Sequence, residues 1–135
     1  MNRRTFQQLA VIRIREAETL LKGERPGTYY LTGYAVECAL KACIAKQTTE
    51  FDFPDKELAR RCFTHDLTVL LQVAGLDLAK KEMEAGSQRF AENWLVAKDW
   101  SESSRYEELT ESEAKKLFNA VNDRTDGVLT WLKTQ

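Results

Sequence analysis

The chain has 135 residues and a formal net charge of −1, which fits a single domain large enough to bury its own hydrophobic core. A charge this close to zero excludes a protein that coats nucleic acid or anionic membrane through a global basic field, although a local basic groove remains open. No stretch approaches the ~20 consecutive apolar residues of a membrane span, so no membrane partner is expected. An odd number of cysteines, with two of them inside an apolar helical pattern, predicts reduced thiols and a cytoplasmic location.

The first two elements read as long helices. Apolar residues recur at spacings of three and four from Phe6 to Leu21, which predicts an amphipathic helix over residues 3–23. A second helix is predicted over residues 28–46. It is apolar on more than one face, as is typical of the central helix of a bundle. Gly33 and the alanines of this helix predict that a neighbouring helix approaches it closely.

The rest of the chain continues the helical pattern. We predict a short helix over 55–61, a helix that Thr64 caps and that ends at Gly75, and a helix over 77–98 with a kink at residues 86–87. After a polar loop over 99–109, Thr110 and Glu113 form a capping box for a last helix over 111–133. The sequence therefore predicts one all-α domain over 1–135, an antiparallel up-and-down bundle of four to five helices.

Neither a metal nor a cofactor is expected. His65 is the only histidine, and no pair of cysteines has the spacing of a zinc finger or ribbon. No glycine-rich loop followed by lysine is present, so the chain has neither a P-loop nor a dinucleotide fingerprint. Any nucleotide would have to be held by side chains or by helix N-termini.

A carboxylate interrupts the apolar second helix. Glu37 follows Tyr34 by three residues and precedes Lys41 by four. One interpretation is an ordinary ion pair with Lys41 at the edge of the bundle. The other is a buried carboxylate that needs partners, from tyrosine hydroxyls or from an arginine of another helix, and that lines a polar cavity together with Tyr34.

His65 and Arg105 are the candidate catalytic residues. His65 lies at a predicted helix start beside Asp66, where it either bonds locally for structure or acts as the acid or base in RNA cleavage while an arginine stabilises the developing charge. Arg60 precedes it by five residues. Arg105 is followed by Tyr106; the two would grip a phosphate and stack on a base, or Arg105 would simply pair with neighbouring glutamates.

Four blocks of the chain resemble the HEPN family of small prokaryotic helical proteins. They are YYLTGYAVECALKACIAK over 29–46, THDLTVLL over 64–71, SSRYEE over 103–108 and VLTWLK over 128–133. The resemblance implies a helical bundle, a homodimer, and an association with nucleotides or RNA. It also implies a minimal nucleotidyltransferase as partner in a toxin–antitoxin-like pair. Other members of the family are metal-independent endoribonucleases.

The chain departs from the ribonuclease members of that family. Those members carry R-x(4–6)-H near the start of the last helix, whereas here Arg105 is followed by Thr, Glu and Ser at positions 110–112. The spacing of Arg60 and His65 fits the formula but precedes an earlier helix. We therefore expect a non-catalytic or weakly catalytic accessory module that binds a nucleotide or RNA phosphate through Arg105, Tyr106 and His65. Tyr34, Glu37 and Asp66 are further expected ligand-binding residues. A ribonuclease that uses His65 and Arg105 and a purely structural interaction bundle remain as alternatives.

Overall fold

The computed structural model describes residues 1–23, 26–48, 53 and 55–135, and over these ranges the protein is an all-α helical bundle without strands. The all-α class is confirmed. The sequence also predicts a turn over 24–27 and a loop over the first part of 48–63, and both lie partly outside the described residues. The α-helices are α1 (Arg3–Lys22), α2 (Gly27–Ala45), α3 (Lys56–Cys62), α4 (Leu67–Val73), α5 (Asp77–Gly86), α6 (Gln88–Lys98), α7 (Glu111–Asn122) and α8 (Val128–Leu132), with a 3-10 helix over Glu102–Tyr106.

Helix α2 is the centre of the bundle, as its apolar composition predicts. Ten of its 19 residues are buried, and it packs against α1, α4, α7 and α8. Helix α1 begins at the N-cap Asn2, whose side chain accepts from the Thr5 N–H, and it buries the stripe Ala10, Ile14 and Ala17. The spacing of that stripe places its side chains on one face of the helix, and this face packs against α2.

Two of the predicted helices are each divided in two, which is why the structure has more helices than the sequence suggests. Residue 87 is a break rather than a kink: Ser87 has extended backbone and its Oγ accepts from the Phe90 N–H, so it starts α6 as an N-cap. The last predicted helix ends at Asn122. There Asp123 accepts from the Thr125 and Asp126 N–H groups and forms a turn that α8 follows. The capping box of Thr110 and Glu113 is confirmed.

The group that packs closely on Gly33 is the aromatic ring of Trp100 and not the backbone of a neighbouring helix, as the sequence had suggested. A Cβ atom at this position would lie 2.0 Å from Cε2 of Trp100, so the indole occupies the space that glycine leaves open. Trp100 follows the C-terminus of α6 and is only 3% exposed. This contact fixes the start of the segment that carries Arg105 against the middle of α2.

Among the described residues, no helix is both long enough and apolar enough to cross a membrane.

Candidate functional site

The buried carboxylate of Glu37 joins α2 to the start of α4. Its side chain is 5% exposed, and its two oxygens have different partners: Oε2 lies 2.9 Å from Nδ1 of His65, and Oε1 accepts from Nζ of Lys41 at 2.8 Å. Both open interpretations of Glu37 are therefore partly right, because the pair with Lys41 exists and the carboxylate is also buried. The partner from outside α2 is a histidine in the segment before α4, and not a tyrosine or an arginine.

The residues on both sides of His65 form local hydrogen bonds at the start of α4. The N-cap of α4 is Asp66, whose Oδ1 accepts from the Val69 N–H, while Oγ1 of Thr64 accepts from the Asp66 N–H. The prediction that Thr64 caps this helix is thus wrong by two residues, since Asp66 has the extended backbone and the capping carboxylate. Asp66 starts the helix that follows His65, and its described contacts are those of a capping residue.

The imidazole of His65 is partly open to solvent. Its side chain is 44% exposed, and within the described residues Nε2 has no hydrogen-bond partner. Since Nδ1 is committed to Glu37, Nε2 is the nitrogen available to an incoming molecule. A carboxylate on one imidazole nitrogen with the other nitrogen free is the arrangement in which histidine works as an acid, a base or a hydrogen-bond donor.

Tyr34 connects His65 to an aromatic cluster on the exposed side of α2. Its ring centroid lies 6.1 Å from that of His65, 4.8 Å from that of Tyr30 and 5.4 Å from that of Trp100. A hydrogen bond with the Tyr30 hydroxyl, followed by burial, raises the pKa of Tyr34 to about 12. Tyr34 is therefore a neutral phenol at physiological pH.

Arg105 reaches the same tyrosines from the 3-10 helix. The hydroxyl of Tyr30 raises the pKa of its guanidinium by hydrogen bonding, and the charge of Arg105 in turn acts to lower the pKa of Tyr34. The guanidinium carbon also lies 5.0 Å from the ring centroid of Tyr106, whose side chain is 81% exposed. In the part of the chain that the structure describes, Arg105 forms no ion pair with a carboxylate. The predicted pairing with neighbouring glutamates is thus not formed.

Arg60 does not share this environment. It lies on α3, where both Nε and Nη2 donate to the carboxylate of Glu57 on the same helix, and its side chain is 77% exposed. Although the spacing of Arg60 and His65 fits the motif, the guanidinium of Arg60 pairs with Glu57 on its own helix and not with His65.

The site thus consists of an imidazole and a guanidinium that are linked through Tyr34 and Tyr30. His65, backed by Glu37 and Lys41, lies on the α4 side, and Arg105 with Tyr106 lies on the side of the 3-10 helix. We call the exposed face of His65, Tyr34, Arg105 and Tyr106 the His65–Arg105 surface. Sequence reasoning did not include Tyr30 and Trp100 among the site residues. The tyrosine pair at 30 and 34, one helical turn apart, was the available signal for Tyr30.

The same surface offers no cluster of metal ligands. Over the described residues, no group of three or more histidine, cysteine, aspartate or glutamate side chains could hold a metal ion. The groups that face solvent are a guanidinium, an imidazole and phenols, which suit an anion or an aromatic base better than a cation.

Comparison of the chain with protein-family models, with curated proteins and with solved structures finds no match. The resemblance to HEPN proteins consequently depends on the four sequence blocks alone.

Proposed function

We propose that the His65–Arg105 surface binds the phosphate and base of a nucleotide or of single-stranded RNA. The observation that carries this proposal is that His65 packs on Tyr34 while Arg105 lines a cavity with Tyr30, whose ring centroid lies 4.8 Å from that of Tyr34. His65 and Arg105 are 40 positions apart in the chain. An arginine that pairs with no carboxylate among the described residues keeps N–H donors available for phosphate oxygens, which arginine binds in a bidentate manner. The exposed ring of Tyr106 provides a face on which a base stacks.

Electrostatics at the surface favour an anion locally even though the chain as a whole is nearly neutral. The charge of Glu37 is compensated by Lys41 and by the hydrogen bond to His65, so it does not repel an anion that approaches Nε2. A single guanidinium with few neighbours gives weak, salt-sensitive binding, in which affinity falls as counterions compete for the phosphate.

The wider biological proposal follows the resemblance to HEPN proteins. In it, the chain is a cytoplasmic, homodimeric accessory subunit that acts with a minimal nucleotidyltransferase in a toxin–antitoxin-type pair. Support comes from the four sequence blocks and from the all-α bundle. A gene for a small nucleotidyltransferase beside the gene for this chain is the simplest observation that would favour it, and co-purification of the two proteins tests it directly.

The binding proposal is tested by fluorescence anisotropy with a labelled single-stranded RNA at low and moderate salt. Arg105→Gln removes the guanidinium and is expected to weaken binding by about tenfold or more. The matched control is Arg124→Gln, because Arg124 is an exposed arginine in the turn between α7 and α8. This turn contacts the start of α6, whereas Arg105 follows its end. Equal losses of RNA affinity in the two variants would show that only the net charge of the protein matters. Absence of RNA binding by the wild type would refute the proposal.

The pairing of Glu37 with His65 favours a second candidate, a metal-independent endoribonuclease. Nε2 of His65 would take the proton of a ribose 2′-hydroxyl as that oxygen attacks the adjacent phosphorus, and Arg105 would stabilise the charge on the phosphate oxygens. The P–O5′ bond breaks in this step, the products are a 2′,3′-cyclic phosphate and a 5′-hydroxyl end, and the 5′-oxygen takes its proton from water. The test is RNA cleavage in the presence of EDTA. Cleavage by the wild type that His65→Ala abolishes would favour the enzyme. If neither protein cleaves RNA but the wild type binds it, the endoribonuclease is rejected and the binding proposal is retained.

If the wild type neither binds nor cleaves RNA or nucleotides, the purely structural interaction bundle becomes the better account.

A further inference from the structure

Nε2 of His65 is open to solvent and has no hydrogen-bond partner among the described residues. The buried side-chain nitrogen and oxygen atoms that lack a partner in this part of the chain belong to Arg3, Trp100 and Ser104. Nε2 of His65 is not one of them, although it also lacks a partner, so it retains contact with solvent. A bound molecule can therefore reach this nitrogen, and the proton on the ring decides which of its groups binds there.

The buried carboxylate of Glu37 determines where that proton lies. Its Oε1 accepts from the ammonium of Lys41 at 2.8 Å, and its Oε2 lies 2.9 Å from Nδ1 of His65. The ammonium stabilises the ionised form of the carboxylate, which accepts hydrogen bonds but cannot donate them. The contact at Oε2 therefore requires the proton on Nδ1. A neutral imidazole carries one proton, so Nε2 has the lone pair and acts as an acceptor.

The same contact fixes the orientation of the imidazole. A half-turn of the ring would replace Nδ1 with a carbon and break the hydrogen bond to a carboxylate whose side chain is only 5% exposed. The ring also packs edge-on against Tyr34, with 6.1 Å between the centroids. Glu37 is therefore a positioning residue, since it sets both the direction and the proton of His65 from the core and does not itself face the ligand.

An acceptor at Nε2 selects the part of the ligand that lies against it. A phosphate oxygen carries no proton to donate, so while the ring is neutral the phosphate belongs to Arg105, which pairs with no carboxylate among the described residues. The exposed ring of Tyr106 takes the base. The remaining group of a ribonucleotide is the sugar, whose 2′-hydroxyl donates a hydrogen bond and is absent from DNA.

We infer that His65 accepts a hydrogen bond from a ribose 2′-hydroxyl, and that the His65–Arg105 surface thereby selects ribonucleotide strands over deoxyribonucleotide strands. Glu37 is the residue that makes this selection possible. The inference rests on the proposed function and narrows its ligand, and it holds whether or not the bound strand is then cleaved.

The first experiment compares oligouridine, oligodeoxyuridine and 2′-O-methyl oligouridine of one length by fluorescence anisotropy on the full-length protein. Uracil has no exocyclic amine, so none of the three strands can present that donor. The 2′-O-methyl strand keeps an oxygen at the same position but has no proton to donate. We expect oligouridine to bind about fivefold more tightly than either of the other two strands, which is the effect of one hydrogen bond.

The second experiment reads the proton directly by nitrogen-15 NMR of the imidazole, at the pH of the binding measurement. The chain has one histidine, so the two ring signals need no assignment to a residue. We expect a neutral ring with its proton on Nδ1 in the wild type.

Glu37→Gln should move the proton. The amide oxygen of the new side chain suits the ammonium of Lys41, so the amide N–H faces Nδ1 and donates to it, and the ring proton transfers to Nε2. The variant should then bind oligouridine and its 2′-O-methyl form equally. The control is Glu18→Gln, in an exposed i,i+4 pair with Lys22, which should change neither the tautomer nor the ratio of affinities.

His65→Phe provides a variant that does not alter the buried carboxylate. It keeps an aromatic ring beside Tyr34 but has no nitrogen, so it should bind the three strands equally. A preference for oligouridine that survives in His65→Phe would show that another group reads the sugar and would overturn the inference.

The remaining outcomes separate this inference from the proposed function. If RNA binding depends on Arg105 but the wild type binds the three strands equally, the inference is overturned and the proposed function stands. A ring that is charged, or that carries its proton on Nε2, under the binding conditions would also overturn it. Tighter binding of oligodeoxycytidine than of oligodeoxyuridine, without a preference for ribose, would assign the donor to a base amine and reject the sugar. If no strand binds, both claims fail.

Discussion

Nδ1 of His65 lies 2.9 Å from Oε2 of Glu37, and this contact joins the central helix to the start of α4. The carboxylate is almost entirely buried while the imidazole is nearly half exposed. The carboxylate end of the pair is therefore fixed by the core, and the imidazole is presented to solvent, where Nε2 has no hydrogen-bond partner among the described residues. The geometry explains why an acid stands in the middle of an otherwise apolar helix: it orients the only histidine of the chain.

The buried carboxylate should matter for stability. Glu37→Gln keeps the shape of the side chain but replaces the carboxylate, whose oxygens contact Nζ of Lys41 and Nδ1 of His65, with a neutral amide. We expect the free energy of unfolding to fall by about 1–3 kcal/mol, because charge-assisted hydrogen bonds to a buried group are lost. Chemical denaturation followed by circular dichroism measures the change.

The matched control for this substitution is Glu18→Gln. Glu18 and Lys22 have the same i,i+4 relationship, but their side chains are 52% and 77% exposed and 3.9 Å apart. Solvent screening makes such a pair worth less than about 0.5 kcal/mol. Similar effects for Glu18→Gln and Glu37→Gln would show that burial of Glu37 contributes nothing.

The N-cap of α4 should also contribute, because it fixes the backbone beside His65. Asp66→Ala removes the oxygen that accepts from the Val69 N–H, and we expect a loss of about 1 kcal/mol in the free energy of unfolding. Asp66→Asn retains an acceptor at the same place and should lose much less. A loss in RNA affinity with Asp66→Asn as large as that with Asp66→Ala would instead return Asp66 to the ligand-binding residues that the sequence predicted.

Two glycines give a matched pair for the contact that anchors the segment bearing Arg105. Gly33→Ala places a methyl group where the indole of Trp100 lies, and overpacking of this kind costs about 1–3 kcal/mol. Gly86→Ala, at the end of α5, meets no atom within 4 Å, and should leave stability unchanged or raise it by up to about 1 kcal/mol. Thermal unfolding measures both, and tryptophan fluorescence reports whether Trp100 has moved. An unaffected Gly33→Ala variant would contradict the packing.

The pH dependence of Tyr34 follows from its raised pKa. The phenol loses its proton at about pH 12 in the folded protein, against an ordinary value of 10.0 in the unfolded chain. Between these values the unfolded chain binds fewer protons, so the stability that Tyr34 contributes is complete below pH 10 and is lost as pH rises toward 12. Absorbance titration of tyrosinate should show a late component that Tyr34→Phe removes. Identical titration curves for the two proteins would contradict the expectation.

Periodicity and local capping explain how much of the fold was predictable. The stripe from Phe6 to Leu21 and the apolar run around Glu37 identify α1 and α2 because burial against neighbours imposes a helical period on the sequence. The capping box of Thr110 and Glu113 was also predictable, because both of its hydrogen bonds form between residues three positions apart. The break at Ser87 was predicted only as a kink at residues 86–87, and the break at Asp123 was not predicted, since a side chain that starts a turn looks the same as a polar residue on an exposed helix face.

The sequence singled out the residues of the candidate site, whereas their contacts were not predictable from it. Tyr34, Glu37, His65 and Arg105 stand out as polar or aromatic groups in blocks of unusual composition. The bond between Glu37 and His65 spans 28 residues, and the approach of Arg105 to Tyr30 depends on how Trp100 packs on Gly33. Such contacts arise from tertiary packing, for which a single sequence carries no local signal. Ser104, in the 3-10 helix, is a clear case, because no local pattern predicts that its hydroxyl is buried and has no hydrogen-bond partner among the described residues.

The most direct test of the account is a proton NMR titration of the imidazole of His65 with single-stranded RNA. The chain has one histidine, so its ring resonances report on this residue without further assignment. We expect them to shift on addition of RNA to the wild type and to the Arg124→Gln variant, and to shift little in Arg105→Gln, because both groups belong to one surface. Imidazole resonances that stay in place while RNA binds would contradict the claim that His65 and Arg105 act on the same ligand.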